Sequence, residues 1–480
     1  MSTGTQTSSQ AAVEAVDSRA SVEAALMQFV RGKNPAILES SLQPSPHARF
    51  SILACDPIDV FHVRSACEIC PIQQLANATE KFPTVGRPEG GLPFAGGWIG
   101  YFTYEAGLFT EQLTPTTRCD FPLPLAWLCL YDSAAIYDHL TRQWLAVAID
   151  WPASIRRDHA TTRDRLNSIR GRLNEAERVC EVECQSGDDA SKCAIPRPNM
   201  SRAGYAAMVA CAKCYIEDGD IYQVNLSQRF EVQTDESALQ LYRRLRRVNP
   251  APFAAFLPWD GAAILSASPE LFLQLRDGHV VTRPIKGTRP RGNDAAGDAR
   301  RRSELAASEK DRAELVMIID LLRNDLGRVC RFGTVRVTDA GTIERHPTVF
   351  HRVATIEGDL ESGQTWVDLL RAAFPGGSIT GAPKIRAMQI INELEPTSRG
   401  VYCGSIGCIG LDGSMSLNIA IRTMVQVNNR VFAYAGGAIV ADSDADAEYE
   451  EIQAKASGMF QALTGSPTGR STVLQEATVP

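Results

Sequence analysis

Short apolar stretches broken by proline and glycine run from Ala36 to Asp150: AILES, RFSILA, GGWIGYFTYE, AWLCLYDSAAIYD and QWLAVAID. Their length and punctuation predict strands. Polar residues at alternate positions of several of them predict antiparallel pairing, with one face less buried than the other. A short amphipathic helix is expected at Ser21–Val30 and a charged helix at Ile155–Arg178. Residues 1–18 are small and polar without a period, which predicts disorder. Residues 181–199 (EVECQSGDDASKCAIPRPN) have the turn and charge content of a linker. From Met200 to Thr464 helices and strands follow in irregular order, closing on a helix at Asp446–Leu463. That order is not a βαβα alternation, so an α+β fold with large antiparallel sheets is expected. The chain thus divides into a disordered start (1–18), an N-terminal segment (19–180), a linker (181–199), a larger segment (200–464) and a loose tail (465–480).

Composition narrows the function classes. The 480 residues are 44% hydrophobic and 22% charged, ordinary for a soluble globular chain of two domains or one composite domain. A net charge of -7 argues against nucleic acid as main partner. No apolar run approaches the roughly 18 residues of a membrane span. The first positive charge is Arg19, so no secretory signal is expected and the cytoplasm is the default. Thirteen scattered cysteines suit reduced thiols. The pairs Cys67/Cys70 and Cys211/Cys214 lack a nearby His or Cys to complete a zinc set, and are expected to pack.

Three lookalikes fail. GGSITGAPK lacks the Gly-Lys-Ser/Thr ending of a phosphate loop, since Pro383 precedes Lys384 and Ile385 follows. DSDADAEYEE has Ala447 and Gln453 where a calcium loop needs Gly and Glu. Neither a nucleophile elbow nor a zinc-protease helix motif is present.

Three constellations remain. In SEKDRAELVMIIDLLRNDLG every residue from Leu315 to Leu322 but Asp320 is apolar, so a buried helix is expected. Asp311 and Glu314 stack one turn apart at its start, and burying them demands a positive partner. In AEYEEIQAKASGMF, residues Glu448, Glu451 and Lys455 form one polar stripe, which on its own is also what an exposed i,i+4 pair looks like. Two helices offering carboxylates one turn apart make a hard oxygen site suited to Mg2+. In PIKGTRPRG, Lys286 lies between an apolar strand and a glycine turn. A lysine with its ordinary pKa is only about one part in 2,500 neutral at pH 7, so it would serve as a nucleophile only if burial lowered that pKa.

Together these segments resemble the chorismate-binding family, which includes anthranilate, aminodeoxychorismate, isochorismate and salicylate synthases. The matching stretches are GDIYQVNLSQRF, SASPELF, RPIKGTRPRG, DRAELVMIIDLLRNDLG, FHRVATIEGDL, GGSITGAPKIRAMQII, RGVYCGSIGCIG, LNIAIRTM and AEYEEIQAKA, in family order across 201–463. The N-terminal ILESS, RFSILACDP and GGWIGYFTYE resemble the family's first segment. The resemblance implies an α+β fold of two large packed antiparallel sheets with helices outside, and makes 200–464 the chorismate-binding catalytic segment.

The resemblance also implies roles. Glu314 and Glu451 would hold magnesium, with Glu448 and Asp311 in or near its shell. Arg422 and Tyr402 would hold the enolpyruvyl carboxylate, helped by backbone amides of Gly436 and Gly437 in a YAGGAIV turn, and Lys455 would add positive charge. Glu270 would be the general acid for loss of the ring hydroxyl. His351 and Ser378 would line the ring, and Thr380 to Pro383 the floor. Ala438 stands where many members have glycine. Leu38, Glu39 and Ser40 fall where some members hold tryptophan, although an edge strand with a capping serine explains them equally.

Two positions separate the sister activities. Members that add water carry a lysine base at the place of Gln223. Members that make anthranilate usually read PIAGT, whereas PIKGT matches those that make 4-amino-4-deoxychorismate through a covalent lysine adduct, on the route to p-aminobenzoate and folate. No glutaminase block is visible, so ammonia is expected from a separate glutamine amidotransferase subunit. The rival expectations are anthranilate synthesis and a silent chorismate- or tryptophan-binding regulator.

Overall fold

The computed structural model describes residues 9–42, 47–64, 69–87, 91–121, 123–152, 160–180, 195–346 and 349–465. Among these, a 13-stranded and a 10-stranded sheet carry the fold. Pairing is antiparallel throughout, except where Ser9–Val16 meets Val85–Gly86. The α+β expectation holds. Both sheets cross from one segment of the chain to the other. Ala36–Glu39 pairs with Phe253–Trp259 in the larger sheet, and Gly97–Phe102 pairs with Ser405–Gly410 in the smaller.

Between the sheets lies one apolar layer that includes Ile99, Tyr101, Trp127, Ile136, Ala255 and Ile264. The alternate residues Trp98, Phe102, Leu128 and Leu130 belong to the other core, which includes the buried sides of the helices. Strands Gly97–Phe102 and Ala126–Tyr131 are therefore buried on both faces, contrary to the one-sided burial expected from their patterns. The residues from Tyr104 leave the sheet as a helix, Tyr104–Thr110.

Other boundaries shift as well. The segment expected to be disordered is in part a strand: Ser9–Val16 ladders onto Gln143–Asp150. Its small residues have little apolar drive of their own, and the neighbouring QWLAVAID strand supplies the partner. Residues 1–8, most of the linker (181–194), Cys67 and the tail from 466 lie outside the described residues. The charged helix is Thr162–Cys180. Cys211 and Cys214 do not pack inward; both are exposed on helix Arg202–Glu217. The helix Glu309–Gly327 is not apolar all round in effect, since Val316 faces solvent.

Two caps place the acidic turns. Ser308 accepts from the Asp311 N–H and starts helix Glu309–Gly327. Asp444 accepts from the Ala447 N–H and starts helix Ala445–Thr464, which ends on Gly465 in the left-handed region. The false calcium loop is thus a helix start.

Candidate active site

The site is built where strand Ile285–Pro290 meets these two helices. A bulge between Ile285 and Thr288, the stretch that holds Lys286, breaks the register with Val349–Asp359. Gly287 follows at φ 88°, and a β-carbon there would lie 2.9 Å from Asp311 Cγ and from Leu305 Cδ1. Only glycine accepts both the dihedral and the approach of the helix.

The Lys286 amine is held below its ordinary pKa, chiefly by burial. Lys455 pushes the same way, while Glu314, Glu270 and Glu451 oppose it. Glu270 is buried and its carboxyl is raised to about 7, first by burial. Against that rise act a 2.5 Å hydrogen bond from Ser378 Oγ, the charge of Lys286 and the Ile285 backbone N–H. An acid and an amine are thereby tuned toward each other in one buried place, a pattern concentrated at functional sites.

The acidic cluster is partly neutralised from within. Asp311 pairs with Arg289 at 2.9 Å. Glu448 is buried, accepts from Ser443 Oγ at 2.8 Å and stands 3.7 Å from Lys310 Nζ. Glu451 pairs with Lys455 at 2.7 Å, which holds its carboxyl below the ordinary range. Glu314 is different: burial raises its carboxyl, as do Asp311 and Glu451, against Lys286 and Lys310. Among the described residues no three of His, Cys, Asp and Glu gather closely enough to hold a metal alone.

Arg422, Tyr402 and His351 form a further group of candidate residues. Arg422 sits at φ 52°, and burial pushes its guanidinium below its ordinary pKa. No carboxylate of the described residues pairs with it. A desolvated cation without a partner calls for an anionic ligand. Tyr402, stacked on Tyr434 at 5.3 Å, is beside it. His351 takes a 2.8 Å bond with Thr288 Oγ1 through Nδ1, and burial lowers its pKa well below the ordinary value. The imidazole is neutral at pH 7.

Gly436 and Gly437 are not in a turn. They lie within strand Arg430–Ile439, opposite Ser227 and Leu226. Glycine is needed there for space: a β-carbon at Gly436 would meet Tyr402 Oη at 2.8 Å, and one at Gly437 would meet Glu448 Oε2 at 3.0 Å. Lys455 Nζ donates to the Gly436 carbonyl at 2.9 Å. Ala438 is not among the residues of positive φ, so its β-carbon costs no backbone strain. Thr380 spends its hydroxyl on the Gly376 carbonyl at 3.0 Å. Gln223 is fully buried with both amide atoms unpartnered, which leaves it donors and acceptors for a small polar molecule.

Leu38 and Glu39 lie elsewhere, lining a separate cavity with Arg49, Pro252, Phe253 and Met415. Glu39 is also bonded by Arg246 and by Tyr242 Oη. Ser40 is not part of that lining; its N–H bonds Ser51 Oγ at 3.1 Å. Sequence reasoning gave no role to Arg289, Lys310 or Thr288, although all three lie inside segments it singled out. The demand for a positive partner to Asp311 and Glu314 was the signal for Arg289 and Lys310.

The family model for chorismate binding enzyme matches residues 39–461. Aminodeoxychorismate synthase component 1 of Salmonella typhimurium is 40% identical over 89% of this chain and 92% of its own length. Anthranilate synthase component 1 of Streptomyces coelicolor is 41% identical over 79% of this chain and 74% of its own. The crystal structure of anthranilate synthase component I from Streptococcus pneumoniae superposes with a TM-score of 0.73 at 31% identity, covering 87% of this chain and 93% of that one. The chain belongs to the chorismate-binding enzyme family.

Proposed function

We propose that this chain converts chorismate and ammonia to 4-amino-4-deoxychorismate. Overall identity does not separate this activity from anthranilate synthesis, since relatives of both names match almost equally. The observation that carries the reading is the buried Lys286 amine, lowered in pKa and facing the raised carboxyl of Glu270. Neutral Lys286 Nζ forms a bond to the ring carbon next to the carboxylate-bearing one. Both ring double bonds shift by one position and the ring hydroxyl leaves as water with the Glu270 proton. Ammonia then bonds at the carbon that lost the hydroxyl, both double bonds shift back, Lys286 leaves as a neutral amine, and the proton shed by the new ammonium returns to Glu270. The enolpyruvyl group stays, and the balance is chorismate plus ammonia to product plus water.

Arg422 and Tyr402 hold one substrate carboxylate on this reading. Glu314 and Glu451 hold magnesium, with Glu448 beside them, because raised, unpaired Glu314 is what a divalent cation relieves. The bound ion supplies positive charge for the ring carboxylate. Gln223 leaves water without a base and offers its free amide to ammonia. Ammonia comes from glutamine through a separate amidotransferase subunit, the product feeds p-aminobenzoate and folate synthesis, and the setting is cytoplasmic. Tryptophan is the occupant proposed for the cavity at Leu38 and Glu39. A calorimetric titration with tryptophan that shows no heat removes that assignment.

The decisive experiment incubates the chain with chorismate, magnesium and ammonium and identifies products by mass, with a chelator control. An aminated product that keeps the enolpyruvyl group is expected. Anthranilate with pyruvate would establish the rival activity, no turnover would leave the silent regulator, and full turnover with chelator would remove the metal. Replacing Arg422 by leucine should lower kcat/KM for chorismate by about a hundredfold, the scale of a buried charge pair, mainly through KM. An unchanged KM would place the carboxylate elsewhere.

A further inference from the structure

Arg399 is among the largest fully buried side chains of the protein, and the steps above do not use it. Four of its five guanidinium N–H groups are nonetheless engaged. Nε and Nη2 donate to the two oxygens of Glu395 at 2.9 and 2.7 Å, Nη1 to the Ile379 carbonyl at 3.0 Å, and Nη2 also to the Asn225 carbonyl at 2.7 Å. It lies 4.6 Å over the ring of Tyr104 and 6.0 Å from that of Tyr402. Its own N–H and that of Gly400 bond the buried Glu105 carboxylate at 2.7 and 3.2 Å. Glu395 also accepts from the Ser227 N–H and hydroxyl at 2.8 and 2.9 Å.

A buried ion pair often adds little net stability over apolar packing, so its worth here lies in what it places. Both carbonyls it grips belong to the cleft. Ile379 stands between Ser378 and Thr380. Asn225, two residues beyond Gln223, donates from its backbone N–H to the Thr380 carbonyl at 2.8 Å and from Nδ2 to the Ser378 carbonyl at 3.3 Å. The same segment ends in the 2.5 Å bond from Ser378 Oγ to Glu270. The path from guanidinium to acid is thus the backbone of two adjacent residues, Ile379 and Ser378, and one hydroxyl.

We propose that Arg399, locked by Glu395, is a positioning residue for proton delivery: it fixes the Ser378–Thr380 backbone so that the Ser378 hydroxyl meets Glu270 and aims its carboxyl at the departing ring hydroxyl. This rests on the reading of Glu270 as the acid. The groups that face Glu270 are Ser378, Lys286, the Ile285 N–H and Cys403, and Arg399 acts on it through the first of these.

The test compares the parent with Arg399→Ala, Arg399→Lys and Glu395→Gln, with thermal unfolding run beside the kinetics. A misplacement of about 1 Å costs on the order of a hundredfold in rate, so kcat should fall by about that factor in Arg399→Ala while KM for chorismate moves little. The alkaline limb of the pH profile should shift, and free guanidinium should restore part of kcat in Arg399→Ala but none in Lys286→Ala. Arg399→Lys keeps the charge without the fork and should remain impaired. If Arg399→Ala does not fold, Glu395→Gln, which preserves volume, decides by the same shift in kcat and pH profile. Folded variants with parental kcat and alkaline limb, or a loss confined to KM, overturn the proposal. A parent whose alkaline limb survives Glu270→Gln instead refutes the acid itself, a result legible without any Arg399 variant.

Discussion

Changing Lys286 to alanine should cut formation of 4-amino-4-deoxychorismate by at least about a thousandfold, the scale on which loss of a covalent nucleophile is felt. Chorismate binding should survive, because Arg422, Tyr402 and the Glu314–Glu451 pair are untouched. The lost step is bond formation by the amine, and no neighbour replaces it: Lys455 is engaged with Glu451 at 2.7 Å and with the Gly436 carbonyl at 2.9 Å. Space opened at Lys286 also admits ammonia to the ring carbon that the lysine attacked, so a small yield of anthranilate is expected in its place. Rapid quenching followed by intact mass should show a chorismate-derived adduct on the parent and none on the variant. Parental kinetics in Lys286→Ala would remove the covalent route while leaving the family and the fold intact.

The sequence made the paired elements legible where period and punctuation agreed. AILES, RFSILA and QWLAVAID read as strands and are strands, because local propensity and tertiary burial point the same way. It misled where tertiary context decides. Ser9–Val16 has no strong pattern and becomes a strand through its neighbour's ladder. GGWIGYF shows no face to solvent because layers cover both of its sides, which no local alternation records. At the site, residues sharing one helix face were legible: Asp311 with Glu314, and Glu448 with Glu451. Which of these carboxylates stays unpaired was not. That depends on Arg289, which reaches Asp311 from another strand, and on Ser443 at Glu448. YAGGAIV looked like a turn by its glycines. Its glycines instead let Tyr402 and Glu448 approach a straight strand, so close packing and turning left the same mark in the sequence.

A second large effect belongs to Glu270. As a general acid it must carry its proton, and burial has raised its carboxyl to about 7. The productive form is lost when the Glu270–Lys286 pair gives up its last shared proton, so the rate should fall about tenfold per pH unit on the alkaline side of that titration. Lys286 must be neutral at the same time, so protonation of the pair costs rate on acidification. The productive pair, acid protonated and amine neutral, carries as many protons as the ion pair, so the two limbs describe the pair jointly. Glu270→Gln should lower kcat by about 10²–10⁴-fold and abolish the alkaline limb. The acid limb that remains should then report Lys286 alone. A structural role for Glu270 predicts a lower rate with both limbs in place. An alkaline limb that persists in the glutamine variant would assign the departing hydroxyl's proton to another donor.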